Sequence, residues 1–135
     1  MLRCFIVDDS PRFLAAARGL LEREGITVVG VASTSAEAIQ RIEELRPDVM
    51  LLDIDLGGES GFELARRLHR EAGVAASRVI LVSTHDEEDY ADLIAASPAV
   101  GFLAKSALSA GAIRDLLRGR GDADPAEPVS GPRGR

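Results

Sequence analysis

Four apolar runs in this chain each end abruptly in polar residues, and the stretches between them carry helical periodicity. Cys4-Phe5-Ile6-Val7 ends in Asp8-Asp9, Val49-Met50-Leu51-Leu52 in Asp53, and Val79-Ile80-Leu81-Val82 in Ser83-Thr84. The shorter Phe102-Leu103-Ala104 ends in Lys105. Continuous apolar runs of this length, bounded by turn signals, are the pattern of strands buried on both faces of a parallel sheet. Thr27 to Ala32 supplies one more strand. Between the strands, Phe13, Leu14, Ala17, Leu20 and Leu21 share one helical face, as do Ile39, Ile42 and Leu45, and Phe62, Ala65 and Leu68. Thr34 with Glu37, and Ser60 with Glu63, read as capping boxes that open two of these helices. The acids Asp86 to Asp89 crowd the start of another, which Ser97-Pro98 ends. Ile113, Leu116 and Leu117 mark the last helix. Strand and helix alternate five times. The expected fold is α/β: a five-stranded parallel sheet with helices on both faces and right-handed crossovers.

At 135 residues the chain has the length of one domain. From Gly119 to Arg135 it is rich in Gly, Pro and charge, with Val129 the only large aliphatic residue, so residues 119–135 are expected to be disordered. The net charge of −6 argues against a nucleic-acid surface. The single cysteine, Cys4, precludes an internal disulfide and reads as a small core hydrophobe. No apolar stretch approaches the ~18 residues of a membrane span and no leader pattern opens the chain. A cytoplasmic location and no membrane partner are expected.

In an open parallel sheet the carboxyl ends of the strands share one edge, where ligands bind. Asp8, Asp9, Asp53, Ser83 and Lys105 should therefore converge. Lys105 is the only lysine in the chain; every other cationic side chain is arginine. A compact point charge suits a phosphoryl oxygen. A carboxylate can attack phosphorus, but the incoming group is anionic, and attack needs positive charge to screen it. A divalent cation held by one or two carboxylates does this.

With these residues in place, the sequence resembles the receiver domains of bacterial two-component response regulators. The resemblance rests on Asp8-Asp9, on Asp53 within Leu51-Leu52-Asp53-Ile54-Asp55-Leu56, on Gly61 and Ser83, and on Lys105 within Gly101-Phe102-Leu103-Ala104-Lys105. It covers about residues 2 to 118, which sets the domain at 1–118. It implies the flavodoxin-like strand order 2-1-3-4-5. It implies Asp53 as phosphoacceptor, with Mg²⁺ or Mn²⁺ held by Asp8, Asp9, Asp53 and the Asp55 backbone carbonyl. Lys105 would contact phosphate, Ser83 would be the switch hydroxyl and Phe102 the switch aromatic. Phe102 is equally readable as plain core.

Three positions depart from the family pattern. Gly57, followed by Gly58, stands where proline is usual, so that loop is expected to be more flexible. Ser106 replaces the proline that usually follows the lysine. Thr84 replaces a smaller residue, and with His85 it is expected to form a rim narrowing access to Asp53. The expected function is that of a signalling switch rather than an enzyme. A histidine kinase or phosphotransfer protein would supply the phosphoryl group, and residues Asp86 to Leu117 would present the output surface. No helix-turn-helix pattern follows, so output would be protein–protein or carried by another chain. The protein itself is expected to be a monomer or weak homodimer. Two alternatives stay open. One is a phosphorylation-independent interaction module with the same fold. The other is a haloacid-dehalogenase-type phosphatase, suggested by Asp53-Ile54-Asp55.

Overall fold

A computed structural model describes residues 2–75, 78–84 and 87–122. Five strands, β1 (Arg3–Val7), β2 (Thr27–Ala32), β3 (Val49–Asp53), β4 (Val79–Ser83) and β5 (Gly101–Ala104), form one parallel sheet in the order β2-β1-β3-β4-β5. The helices are α1 (Pro11–Arg23), α2 (Ser35–Leu45), α3 (Gly61–Ala72), α4 (Ala91–Ala96) and α5 (Ala110–Asp122). This is the expected doubly wound arrangement.

Strand parity divides the core in two. Phe5, Val7, Met50, Leu52, Val79 and Leu81 point to the face covered by α2 and α3, where they meet Ile42, Leu64 and Leu68. Their neighbours Cys4, Ile6, Val49, Leu51, Ile80 and Val82 point to the other face and pack on Leu21 of α1 and Ile113 of α5. Successive side chains of a strand leave opposite faces, so a strand covered on both sides must be apolar throughout. Every residue of β3 and β4 is buried. Cys4 is part of this interior, and burial pushes its thiol up to about 12, which leaves it protonated and inert.

The helix starts follow the capping signals in part. Thr34 Oγ1 accepts from Glu37 N at 3.2 Å, and Glu37 Oε1 returns to Ser33 N rather than to Thr34. Ser60 Oγ accepts from Phe62 N, but Glu63 turns outward to Arg66, so only half of that box forms. His69 lies on the exposed side of α3 as its position predicts, yet its Nδ1–H donates to Val74 O at 3.0 Å across the helix end. A carbonyl can only accept, which fixes the tautomer.

The acidic segment differs from the single helix expected there. Glu87–Tyr90 is a 3-10 turn, and α4 is only six residues long, with no side-chain cap and no buried residue. Few large apolar residues are available to hold it down, and Leu93 is itself exposed. At the other end, α5 continues to Asp122, four residues past the boundary set by composition, because extending a formed helix costs far less than starting one. The remainder of the segment expected to be disordered, residues 123–135, lies outside the described residues.

A long-range cap joins the first helix to the last. Glu24, at the C-terminal cap of α1, accepts from Ala110 N at 2.7 Å, 86 residues away. It serves a backbone donor that the first turn of α5 cannot satisfy internally. Glu24→Ala should lower stability by about 1 kcal/mol, and Glu24→Gln by less. Urea unfolding midpoints for the two variants check this.

Candidate functional site

The carboxyl edge of β1, β3, β4 and β5 brings the expected residues together. Asp8 follows β1 and is fully buried. Its Oδ1 accepts from Ser10 N at 2.8 Å, and Ser10 in turn caps α1 by accepting from Phe13 N. Asp53 ends β3 and is 5% exposed. Its Oδ1 accepts from Asp55 N at 3.3 Å, and its Oδ2 faces Lys105 Nζ at 3.4 Å. Lys105 also approaches Asp8 Oδ2 at 2.6 Å. That second contact is an ion pair off the line of a hydrogen bond, so Asp8 Oδ2 is a buried oxygen with no aligned donor.

Asp9 is exposed, and one oxygen from each of Asp8, Asp9 and Asp53 lies within 4.8 Å of the others. Three carboxylates against one ammonium leave negative charge uncompensated. An oxygen-only cluster of three carboxylates, its charge only partly offset by Lys105, is the ligand set of a hard divalent cation, and these residues fit one.

Electrostatics agree with this geometry. Burial, then the charge of Asp8, raise the Asp53 carboxyl from 3.8 to about 6, against the opposing pull of Lys105 and the Asp55 N–H. Lys105 is lowered by burial, but Asp8 and Asp53 outweigh that and leave it raised. The folded chain therefore holds the Asp53 proton more tightly than the unfolded chain does. The stability this group contributes is present below about pH 4 and is lost as pH rises through about 6. In chelator, the wild-type urea midpoint should fall across that window relative to Asp53→Asn. Parallel pH profiles for the two proteins would contradict the shift.

Ser83 ends β4, is 3% exposed and pairs in register with Ala104 of β5. Phe102 is half-buried against the α3-side core together with Tyr90 and Ile94. Thr84 is exposed and lines a groove of about 640 Å³ between α1 and the β5–α5 connection, with Phe13, Leu20, Lys105 and Leu108 on its walls. His85, its expected companion on the rim, lies outside the described residues, as does Asp86.

The loop after Asp53 forms a hydrogen-bonded turn. Gly57 and Gly58 have φ of +61° and +106°, and the turn is closed by Leu56 N donating to Glu59 O and Gly57 N donating to Asp55 Oδ1. Proline cannot take a positive φ, so glycine at this position permits a turn of opposite hand. The Asp55 side chain is exposed and occupied within this turn.

Two contributors escaped sequence reasoning. Glu59 accepts from Ser35 N at 2.9 Å and so ties the loop to the start of α2. The Phe13 ring stands 4.3 Å from Lys105 Nζ. Helical spacing marks Phe13 only as apolar, and nothing local distinguishes a ring facing an ammonium from one facing leucine.

Residues 4–118 match the sequence pattern of the response regulator receiver domain. The chain belongs to that family. The DNA-binding transcriptional activator EvgA of Escherichia coli K12 is 30% identical over 106 residues, which is 77% of this chain and 50% of EvgA. The chain thus spans about half the length of that relative. Protein PilH of Pseudomonas aeruginosa is 36% identical over 88 residues, 65% of this chain and 72% of PilH. Among solved structures, a LuxR-family two-component response regulator from Aurantimonas aligns with a TM-score of 0.77 at 31% identity, covering 87% of this chain and 85% of the other. The receiver domain of the NarL regulator from Mycobacterium tuberculosis aligns with a TM-score of 0.70 at 29% identity, covering 93% and 98%.

Membership carries the family's function: this is a phosphoacceptor receiver of two-component signalling, in which an aspartate takes the phosphoryl group. Receiver domains bind Mg²⁺ at an acidic pocket and interact with histidine kinases or phosphotransfer proteins. They are mostly non-enzymatic, although some relatives carry enzymatic output. The protein-glutamate methylesterase/protein-glutamine glutaminase 5 of Myxococcus xanthus is 37% identical, and the match covers 28% of its length. No helix among the described residues is long and apolar enough to cross a membrane.

Proposed function

We propose that Asp53 is the residue phosphorylated, and that its own chain's Asp8, Asp9 and Lys105 make the transfer possible. The supporting observation is the position of Asp53: buried at the end of β3, 3.4 Å from Lys105 Nζ and within reach of both other carboxylates. A carboxylate oxygen of Asp53 forms the bond to phosphorus. The P–N bond of the donor phosphohistidine breaks, and the imidazole leaves with the electron pair and takes a proton. Asp8, Asp9, Asp53 and the Asp55 carbonyl would hold Mg²⁺ or Mn²⁺. That cation supplies positive charge against the phosphoryl oxygens. Lys105 neutralises a further oxygen from the opposite side.

Ser83 then serves as the switch hydroxyl, and Phe102 moves with it as the phosphoryl group biases a two-state equilibrium. The output surface runs over residues 86–117 toward a protein partner, without nucleic acid or membrane, in the cytoplasm. The exposed Leu93 on α4 supports that placement.

The test is incubation with a small phosphodonor, with Mg²⁺ or with chelator, followed by mapping of the modified residue. One acid-labile phosphate per chain on Asp53, formed much faster with Mg²⁺, is expected. Continuous release of phosphate from an ester would favour a phosphatase. No labelling in the presence of Mg²⁺ would favour a phosphorylation-independent module.

A further inference from the structure

We propose that Phe13 is a positioning residue for Lys105: the face of its ring holds the ammonium beside Asp53 independently of the charge state of the site. The proposal rests on the reading of Lys105 as the phosphate-contacting cation.

Three groups hold Lys105 Nζ. Two are carboxylates, Asp8 Oδ2 at 2.6 Å and Asp53 Oδ2 at 3.4 Å. The third is the Phe13 ring, with its centroid at 4.3 Å, well inside the ~6 Å range of a cation–π contact. The lysine side chain is only 16% exposed, so the contact is poorly screened by water and falls in the stronger part of that range. The carboxylate contacts are not constant. Both acids would change partners when a cation or phosphoryl group enters, whereas a neutral ring competes for neither. Phe13 is therefore the one contact of the three that binding chemistry leaves in place.

The ring is itself tied to the site. Asp8 Oδ1 accepts from Ser10 N, Ser10 Oγ accepts from Phe13 N, the Phe13 ring faces Lys105, and Lys105 returns to Asp8 Oδ2. This closed circuit fixes the ring through the cap of α1, and Pro11 at the first helical position stiffens that cap. A long, flexible lysine at the end of a strand loses rotamer freedom when it is held in one place. Phe13 imposes part of that restriction before any phosphodonor arrives.

The plain alternative is that Phe13 only fills space on the α1 face. Three measurements on the full chain separate the two. In metal-free protein without phosphodonor, the Lys105 ε-methylene protons should be shifted upfield by the ring. The shift should vanish in Phe13→Leu and persist in Phe13→Tyr. With acetyl phosphate and Mg²⁺, Phe13→Leu should slow labelling of Asp53 about fivefold, and Phe13→Tyr should restore it. In a Lys105→Met background, Phe13→Leu should have no further effect. An ordinary Lys105 shift in the wild type would overturn the proposal. So would a Phe13→Leu rate equal to wild type, or an equal loss with and without the lysine. An intact ring shift in a wild-type protein that takes no label on Asp53 would leave Phe13 in place and overturn the phosphoacceptor reading alone.

Discussion

Asp53→Asn is expected to reduce acid-labile phosphate incorporation to background while leaving the fold intact. Asparagine preserves the shape of the side chain and keeps an oxygen that can accept from Asp55 N at the position now occupied by Asp53 Oδ1. It removes the nucleophilic carboxylate, and no other acid at the site stands in an equivalent place. Asp8 is fully buried and paired with Lys105, Asp9 is exposed, and the Asp55 carboxylate is engaged with Gly57 N. The same substitution removes a buried charge that Asp8 repels, so the metal-free variant should be no less stable than wild type at neutral pH. Labelling and urea unfolding on one preparation check both halves. Undiminished phosphate on the variant would move the acceptor to another residue.

Gly61→Ala should be the most damaging glycine-to-alanine change among the described residues. A Cβ at Gly61 would lie 2.1 Å from the carbonyl oxygen of Asp53 and 2.8 Å from its carbonyl carbon. The obstacle is backbone, so no side-chain rotation relieves it. Gly61 N donates to Ile54 O at 2.8 Å, which holds the start of α3 against the end of β3. The helix must withdraw or the strand end must shift. Either movement breaks that bond and displaces Asp53. A loss of at least about 3 kcal/mol is expected, at the upper end for overpacking, together with a large drop in phosphorylation rate. A variant that unfolds with the wild-type midpoint would show that the loop accommodates the methyl.

The architecture was legible because buried parallel strands leave an unmistakable trace: Val49 to Leu52 and Val79 to Val82 have no polar residue and no helical period. Reading Asp53 and Lys105 as convergent required only that parallel strands end on one edge. What stayed hidden depends on contacts distant in sequence or on the sign of a dihedral angle. Glu59 and Ser35 are 24 residues apart, and no local pattern pairs them. Nothing local in the sequence shows that Gly57 takes a positive φ and so sets the hand of the turn after Asp53. Phe13 carries the same apolar signal whether it faces the core or a lysine. The acidic run before α4 suggested a longer helix because dipole arguments favour acids there, but they cannot supply the apolar face that makes a helix persist.

Glu24 has a consequence for the order in which the chain can mature. Its carboxylate sits at the C-terminal end of α1, where the helix dipole disfavours negative charge, and it is offset by the backbone donor of Ala110. During synthesis that donor arrives 86 residues after Glu24 does. Until then α1 carries an acid at its wrong end, and the face of the sheet that awaits α5 stays open. The nascent chain can pair its first strands early, but its first helix gains its full hold only when its last one docks.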